Sequence, residues 1–380
     1  MNPALNRLAQ SRWPPLLAFL IAVVAAAPWL RPLPAPRFVS PAPLADLPRH
    51  GSADARTRML PNPAATAHSV TLAELEPGRL AAAWFAGSRE GAADVAIQFA
   101  TFDGTAWSDA RPIVQRQQVQ RDSGRLVRKL GNPVLWRDPR GTLHLWFVSV
   151  GFGGWAGSAI NHSASADGGA HWSPAQRLIT SPFWNLSTLV HSPPVALADG
   201  GLALPVYHEF IAKRGEWLRL GADGLPVDKR RLPGAARSLQ PAPAVLDGQR
   251  ALLLLRDTSP LHRIRASASD DGGRSWTPAR ALDLPNPDAG IALLRLHDGR
   301  LLLAYNPQES NRTRLALALS GDDGETWSPP RLVEDGEGED EFSYPSLLQQ
   351  ANGTIHLAYT WQRRQIKHMS FAPDWLRGMH

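Results

Sequence analysis

An all-β fold, a six-bladed β-propeller preceded by an N-terminal transmembrane or signal helix, is predicted for this chain of 380 residues. Three observations predict it. An eight-residue pattern, S-x-D-x-G-x-[T/S/H]-W, recurs at Ser165–Trp172, Ser269–Trp276 and Ser320–Trp327, with a worn copy at Phe102–Ser108. Six short turns ending at Gly78, Gly141, Gly201, Gly248, Gly299 and Gly353 each join two apolar runs. They repeat roughly every 50–60 residues, a period that suits propeller blades better than a helical solenoid. Finally, Pro 34 and Gly 31 are rich for a helical protein, while Trp 14 supplies apolar surface for a core.

Taken in chain order, residues 1–31 read as an export element. Arg7, Arg12, Arg31 and Arg37 precede the first carboxylate, Asp46, and 18 uncharged, mostly apolar residues lie between Arg12 and Arg31. A helix of that length reaches roughly 27 Å, marginally enough to cross a bilayer. The same run fits a cleavable signal peptide, so signal anchor and signal peptide both stand, with a buried helix as the bland alternative. Either export reading puts the rest of the chain in the periplasm or outside the cell, membrane-anchored or secreted. Residues 32–66 are proline-rich and read as a spacer, 67–372 as the propeller and 373–380 as a tail. The net charge of +6 falls to about +2 without those four arginines, so no nucleic-acid partner is expected. Zero Cys excludes thiol nucleophiles, disulfides and Cys-ligated metals. No cofactor is implied, and no metal; the acidic run Glu334–Glu341 reads as a solvated loop rather than a Ca²⁺ site.

Each blade carries four strands, A to D. In the fifth these are Ile291–Leu296, Leu301–Tyr305, Leu315–Leu319 and a strand after Trp327. Within the repeated pattern, Asp accepts hydrogen bonds from a turn backbone, Gly supplies positive φ, and Trp packs as an anchor. Antiparallel order then puts the A–B turns and the repeated pattern on one face. Starts of A, ends of B and the B–C and D–A loops share the other. That rim gathers His68, Ser88, Arg89, Glu90, Asp94, Asn132, Tyr207, His208, Glu209 and Gln240. Across it stand Arg256, Asp257, Asp288, Asn306, Arg312, Tyr344, Trp361, Arg363 and Arg364. Arginines suit a carboxylate, amides and acids suit hydroxyls, and aromatic rings suit a sugar face.

The eight-residue pattern resembles the Asp-box of the sialidase (neuraminidase) superfamily, over most of residues 67–371. The resemblance implies six blades, three arginines on a substrate carboxylate, a Tyr nucleophile activated by a Glu, and an Asp as acid/base. Phe342–Leu347 resembles the Tyr setting and offers Tyr344. The Glu position reads Gln240-Pro241, which cannot take a proton. Arg256 matches one arginine and Arg312 another, while His68 stands where the first should be. Glu90 or Asp94 would serve as acid. The catalytic candidates are therefore Tyr344, His68, Asp94 and Glu90. The substrate-binding candidates are Arg89, Arg256, Arg312, Gln240, Asn132, Glu209, Asn306, Trp361 and Arg363. Tyr359–His368 and Pro285-Asn286-Pro287 resemble a divergent BNR-repeat branch, whose relatives include glycosidases and lyases of acidic sugars. The expectation is a monomeric enzyme that cleaves a glycosidic bond next to an acidic sugar. A glycan-binding propeller without catalysis and a protein-docking scaffold are the alternatives.

Overall fold

The computed structural model describes residues 36–40, 54–181, 185 and 187–379. The expected apolar helix lies outside the described residues. Among those described, no helix is long and apolar enough to cross a membrane.

Six antiparallel sheets follow one another around an axis. Blade one is Thr66–Glu76, Arg79–Gly87, Ala96–Phe102 and Arg111–Gln115. Blade two is Lys129–Arg137, Leu143–Val150, Ser158–Ser165 and Gln176–Arg177. In blade three strand A is broken into Leu189–Val190 and Val195–Ala196, followed by Leu202–His208, Arg214–Leu220 and Pro226–Ala236. Blade four is Ser238–Val245, Ala251–Asp257, Arg263–Ser269 and Arg280–Pro285. Blade five is Ala292–Arg295, Leu301–Tyr305, Arg314–Ser320 and Arg331–Asp335, within a few residues of expectation. Blade six is Phe342–Gln349, Ile355–Trp361 and Gln365–Phe371.

The outer strand of blade six comes from the other end of the chain. Arg56–Met59 pairs antiparallel with Gln365–Phe371, from Arg56↔Ser370 to Met59↔Lys367. This corrects the 32–66 spacer: its last part is a strand that closes the ring, because the final blade otherwise leaves an unpaired edge. Phe38 also leaves the spacer, bridging Leu197 and packing on Trp217 at a ring distance of 6.4 Å. The basic stretch after Gln115 carries a short helix, Arg116–Ser123, with Val119 buried.

There is no single core. Six separate hydrophobic clusters each join two neighbouring blades, such as Phe99 and Leu145 between blades one and two. The Asp-box turns behave as expected. In the first, Asp167 Oδ1 accepts the His171 N–H at 2.9 Å, and Ser165 Oγ accepts the Gly169 N–H at 2.8 Å. The second and third boxes repeat these bonds.

Candidate active site at the propeller rim

The site begins with one backbone device. Strand A carries a one-residue bulge in blades one, two, four and six, at His68/Thr71, Gly131/Val134, Leu239/Ala242 and Ser343/Ser346. Its first residue takes a left-handed conformation: Ser69 (φ 54), Asn132 (φ 45), Gln240 (φ 50) and Tyr344 (φ 52). Ser187 (φ 57) and Asp288 (φ 54) do the same before strand A of blades three and five. Bulges of this kind re-aim side chains, and positive φ at non-glycine residues gathers at functional sites. Here they sit at the rim ends of the inner strands.

Tyr344 is the hub. Arg256 hydrogen-bonds to it. The same guanidinium donates to Asp288 Oδ1 at 2.5 Å and to Gln240 Oε1 at 3.1 Å. Burial works against the charge on Arg256, but Tyr344 and Asp288 outweigh it and raise its pKa. Arg312 lies 5.6 Å over the Tyr344 ring and donates to the Asp288 carbonyl at 2.7 Å. Glu341 bridges Arg312 at 3.3 Å and Arg363 at 2.5 Å. Burial alone would raise Glu341, yet Ser343, Arg312 and Arg363 hold it below the usual carboxylate range. Two imidazoles flank the phenol edge-on, His68 at 6.1 Å and His191 at 5.7 Å between ring centres. Burial keeps both neutral: His68 is lowered despite Glu90 and Glu341, and His191 is pushed down to about 4, with Arg256 adding to the effect. Gly290 closes the floor. A Cβ there would stand 3.1 Å from Gln240 Oε1 and from Tyr344 Cδ1, and 3.3 Å from His191 Nε2.

This arrangement sits on a chain whose residues 78–357 match the BNR repeat-like domain family. The chain belongs to that family. A curated sialidase of Micromonospora viridifaciens is 27% identical over 144 residues, covering 35% of this chain and 22% of that protein. The chain therefore matches well under two thirds of that relative. Among solved structures, the Hadza microbial sialidase Hz136 superposes with a TM-score of 0.69 at 17% identity, over 82% of this chain and 66% of the other. The intramolecular trans-sialidase of Ruminococcus gnavus gives 0.67 at 15%, over 84% and 98%. At such identities the superpositions establish the sialidase fold.

Within this BNR-repeat propeller the expected residues separate into three groups. Tyr344, His68, Gln240, Arg256, Arg312 and Arg363 come together as described. Glu90 borders them, 3.9 Å from His68 Nε2. Glu209 lies close to Arg256 and Asp288 and is raised by burial, and Asn132 donates to the buried Tyr207 hydroxyl at 2.7 Å. The rest are engaged elsewhere. Asp94 holds its own loop through Ser88 N at 2.9 Å and Ser88 Oγ at 3.0 Å, bonds that lower its pKa and disfavour it as an acid. Arg89 is exposed beside it. Asn306 is fully buried and its Nδ2 clamps the carbonyls of Arg314 and Phe342, so its donors are spent on the seam between blades five and six. Trp361 packs into the same seam. Sequence reasoning missed His191, Gly290 and Glu341. His191 lies in the break between Leu189–Val190 and Val195–Ala196, without a clear apolar run, and Glu341 ends an acidic stretch that looks solvated.

Proposed function

We propose that the chain is an exported sialidase-like glycosidase that cleaves the glycosidic bond of an acidic sugar. The convergence of Arg256, Arg312 and Arg363 on Tyr344 carries this reading. Three guanidiniums around one phenol suit a substrate carboxylate laid against a nucleophile, and Arg363 takes up the arginine role left open where His68 stands. A guanidinium on the Tyr344 oxygen favours negative charge developing there as it attacks the anomeric carbon. Gln240 supplies no base, because its Oε1 accepts from Arg256. The phenol proton passes instead to one of the neutral imidazoles beside it. Glu90 or Glu209 protonates the departing sugar oxygen, and water then releases the glycosyl group.

Full-length protein incubated with sialosides and uronic-acid oligosaccharides should release new reducing ends from one set, without the absorbance of an unsaturated product. Unsaturated product would make it a lyase. Saturable binding of either set without turnover would establish the second reading, a glycan-binding propeller, which Gln240 favours. Export rests on the basic, apolar N-terminal stretch. Protease added outside intact cells should digest the propeller, and a protected propeller would refute export.

A further inference from the structure

The repeated tryptophans pack on the preceding blade, which makes one seam unlike the others. Trp172 of blade two meets Phe99 of blade one at 5.9 Å, and Trp276 of blade four meets Trp217 of blade three at 4.9 Å. Trp327 of blade five packs into the cluster shared with blade four. In blade six Trp375 does this from a short 3-10 turn, beneath Arg331 of blade five at 3.8 Å. Trp107 of blade one meets His368 of blade six at 5.3 Å. Blade three has no such tryptophan. Its turn runs Gly221-Ala222-Asp223-Gly224-Leu225, closed by Gly221 N–H to Leu225 O at 2.9 Å, and Leu225 is 61% exposed. Where an indole would sit on blade two, the structure has an open cleft of about 480 Å³.

This cleft retains the polar half of a filled seam. His356 Nδ1 and His368 Nε2 of blade six lie 2.9 Å apart, and Trp107 Nε1 donates to His368 Nδ1 at 3.1 Å. Blade two repeats the pair with the same atoms, His144 Nδ1 and His162 Nε2 at 3.0 Å. Asp138 Oδ2 stands 3.6 Å from His144 Nε2. One proton lies between His144 Nδ1 and His162 Nε2, and His162 Nδ1 has no hydrogen bond among the described residues; His162 lines the cleft. Trp136, His144, Trp146 and His162 form a continuous ring stack beside it, with neighbours 5.1 to 5.6 Å apart.

We propose that this cleft is a second binding site, separate from the rim, for a neutral pyranose ring. Its volume falls in the range of small-molecule pockets, roughly 300–1,000 Å³. Its lining asks for a ligand with an apolar face and several donors: Trp136 offers the face, His162 and the second oxygen of Asp223 offer acceptors, and Asp138 Oδ1 is already held by Arg140 N and Thr142 N. A sugar ring meets that description. An indole has one N–H and would leave Asp223 Oδ2 unmatched, and an acidic sugar would meet two carboxylates, Asp138 and Asp223, against a single guanidinium, Arg140. The site does not depend on catalysis at the rim.

Titration of the full-length protein with neutral hexoses, followed by calorimetry and by Trp fluorescence, tests this. Saturable millimolar binding is expected. It should weaken about tenfold or more in Trp136→Ala, a loss of about 1.4 kcal/mol. Leu225→Trp restores the missing indole and should abolish binding while raising the melting temperature and leaving rim turnover unchanged. This variant keeps the test decisive if Trp136→Ala does not fold. Absence of saturable hexose binding would overturn the proposal. So would binding that survives Leu225→Trp, or a preference for N-acetyltryptophanamide over hexoses.

Discussion

The two ends of the same strands solve the same backbone problem differently. On the Asp-box face, positive φ falls mostly to glycines such as Gly169 (φ 96) and Gly273 (φ 81), and the acidic side chains are saturated. Asp271 accepts from Ser275 N at 2.8 Å, Ser275 Oγ at 2.6 Å and Ser269 Oγ at 3.0 Å. On the rim, positive φ falls to Ser69, Asn132, Ser187, Gln240, Asp288 and Tyr344. Each costs on the order of 1–3 kcal/mol relative to relaxed backbone. Glycine would remove the strain and, with it, the side chain that faces the site. Three of the six also precede a proline (Asn132-Pro133, Gln240-Pro241 and Tyr344-Pro345), whose ring favours extended backbone before it and so adds to the strain of a left-handed residue there. Glycine appears where only the turn matters, and a functional residue where the side chain matters.

The largest expected effect lies at the rim. Tyr344→Phe keeps the backbone and the ring contacts with His68, His191 and Arg312, and removes only the hydroxyl. Turnover should fall about 10²-fold or more, with the thermal midpoint unchanged. A wild-type rate would remove Tyr344 from the chemistry and erase the contrast between the faces.

Acid should next attack the scaffold where the ring closes. His356 and His368 join blade six to Trp107 of blade one, and burial pushes them down to about 4 and about 3. For His368 the neighbouring His356 adds to the effect. Both groups bind protons more readily in the unfolded chain, so stability rises with pH up to the ordinary histidine range near 6.5. It is lost as pH falls below that toward 4. Each histidine contributes a slope of up to about 1.4 kcal/mol per pH unit. Urea midpoints measured from pH 7 to 4.5 should therefore decline, and a flat profile would show that the seam does not depend on neutral imidazoles.

A turn on the Asp-box face should show the reverse of Tyr344. Asp271→Ala strips the acceptors from Ser275 and Ser269 and should destabilise by about 1–2 kcal/mol. Activity per folded molecule should stay constant, as denaturant curves paired with active-site titration would reveal.

The same contrast explains what the sequence made legible. Asp-box residues act within eight positions of one another, so Asp167, Asp271 and Asp322 could be read with their bonds. The rim assembles residues from six blades, and only its individual positions are visible in sequence. Tyr344 and Arg256 stood out through resemblance, and Gln240 as a departure from it. His191 did not, because blade three breaks strand A and loses its box together. Asn306 and Asp94 looked like rim ligands because sequence places a side chain on a face without showing what it already holds. The ring-closing strand Arg56–Met59 hid inside a proline-rich stretch, since an edge strand that pairs across the whole chain needs no local signature.

The smallest effect tests whether glycine really is the preferred solution on the Asp-box face. The third box carries Asp323 at φ 60, where the first two carry Gly168 (φ 71) and Gly272 (φ 74). Asp323 Oδ2 takes an exposed ion pair from Arg250 at 2.8 Å. Such pairs contribute about 0–1 kcal/mol, less than or comparable to the cost of left-handed backbone at a residue with a Cβ. Asp323→Gly should therefore leave stability within about 1 kcal/mol of wild type and on the stabilised side, with no change in turnover. Thermal midpoints at low and high salt separate the two contributions. High salt screens the Arg250 pair in the wild type alone, so the advantage of the glycine variant should widen there. A variant that loses more than the pair contributes would mean that positive φ costs this turn nothing, and that the rim's left-handed residues carry less strain than the comparison assigns them.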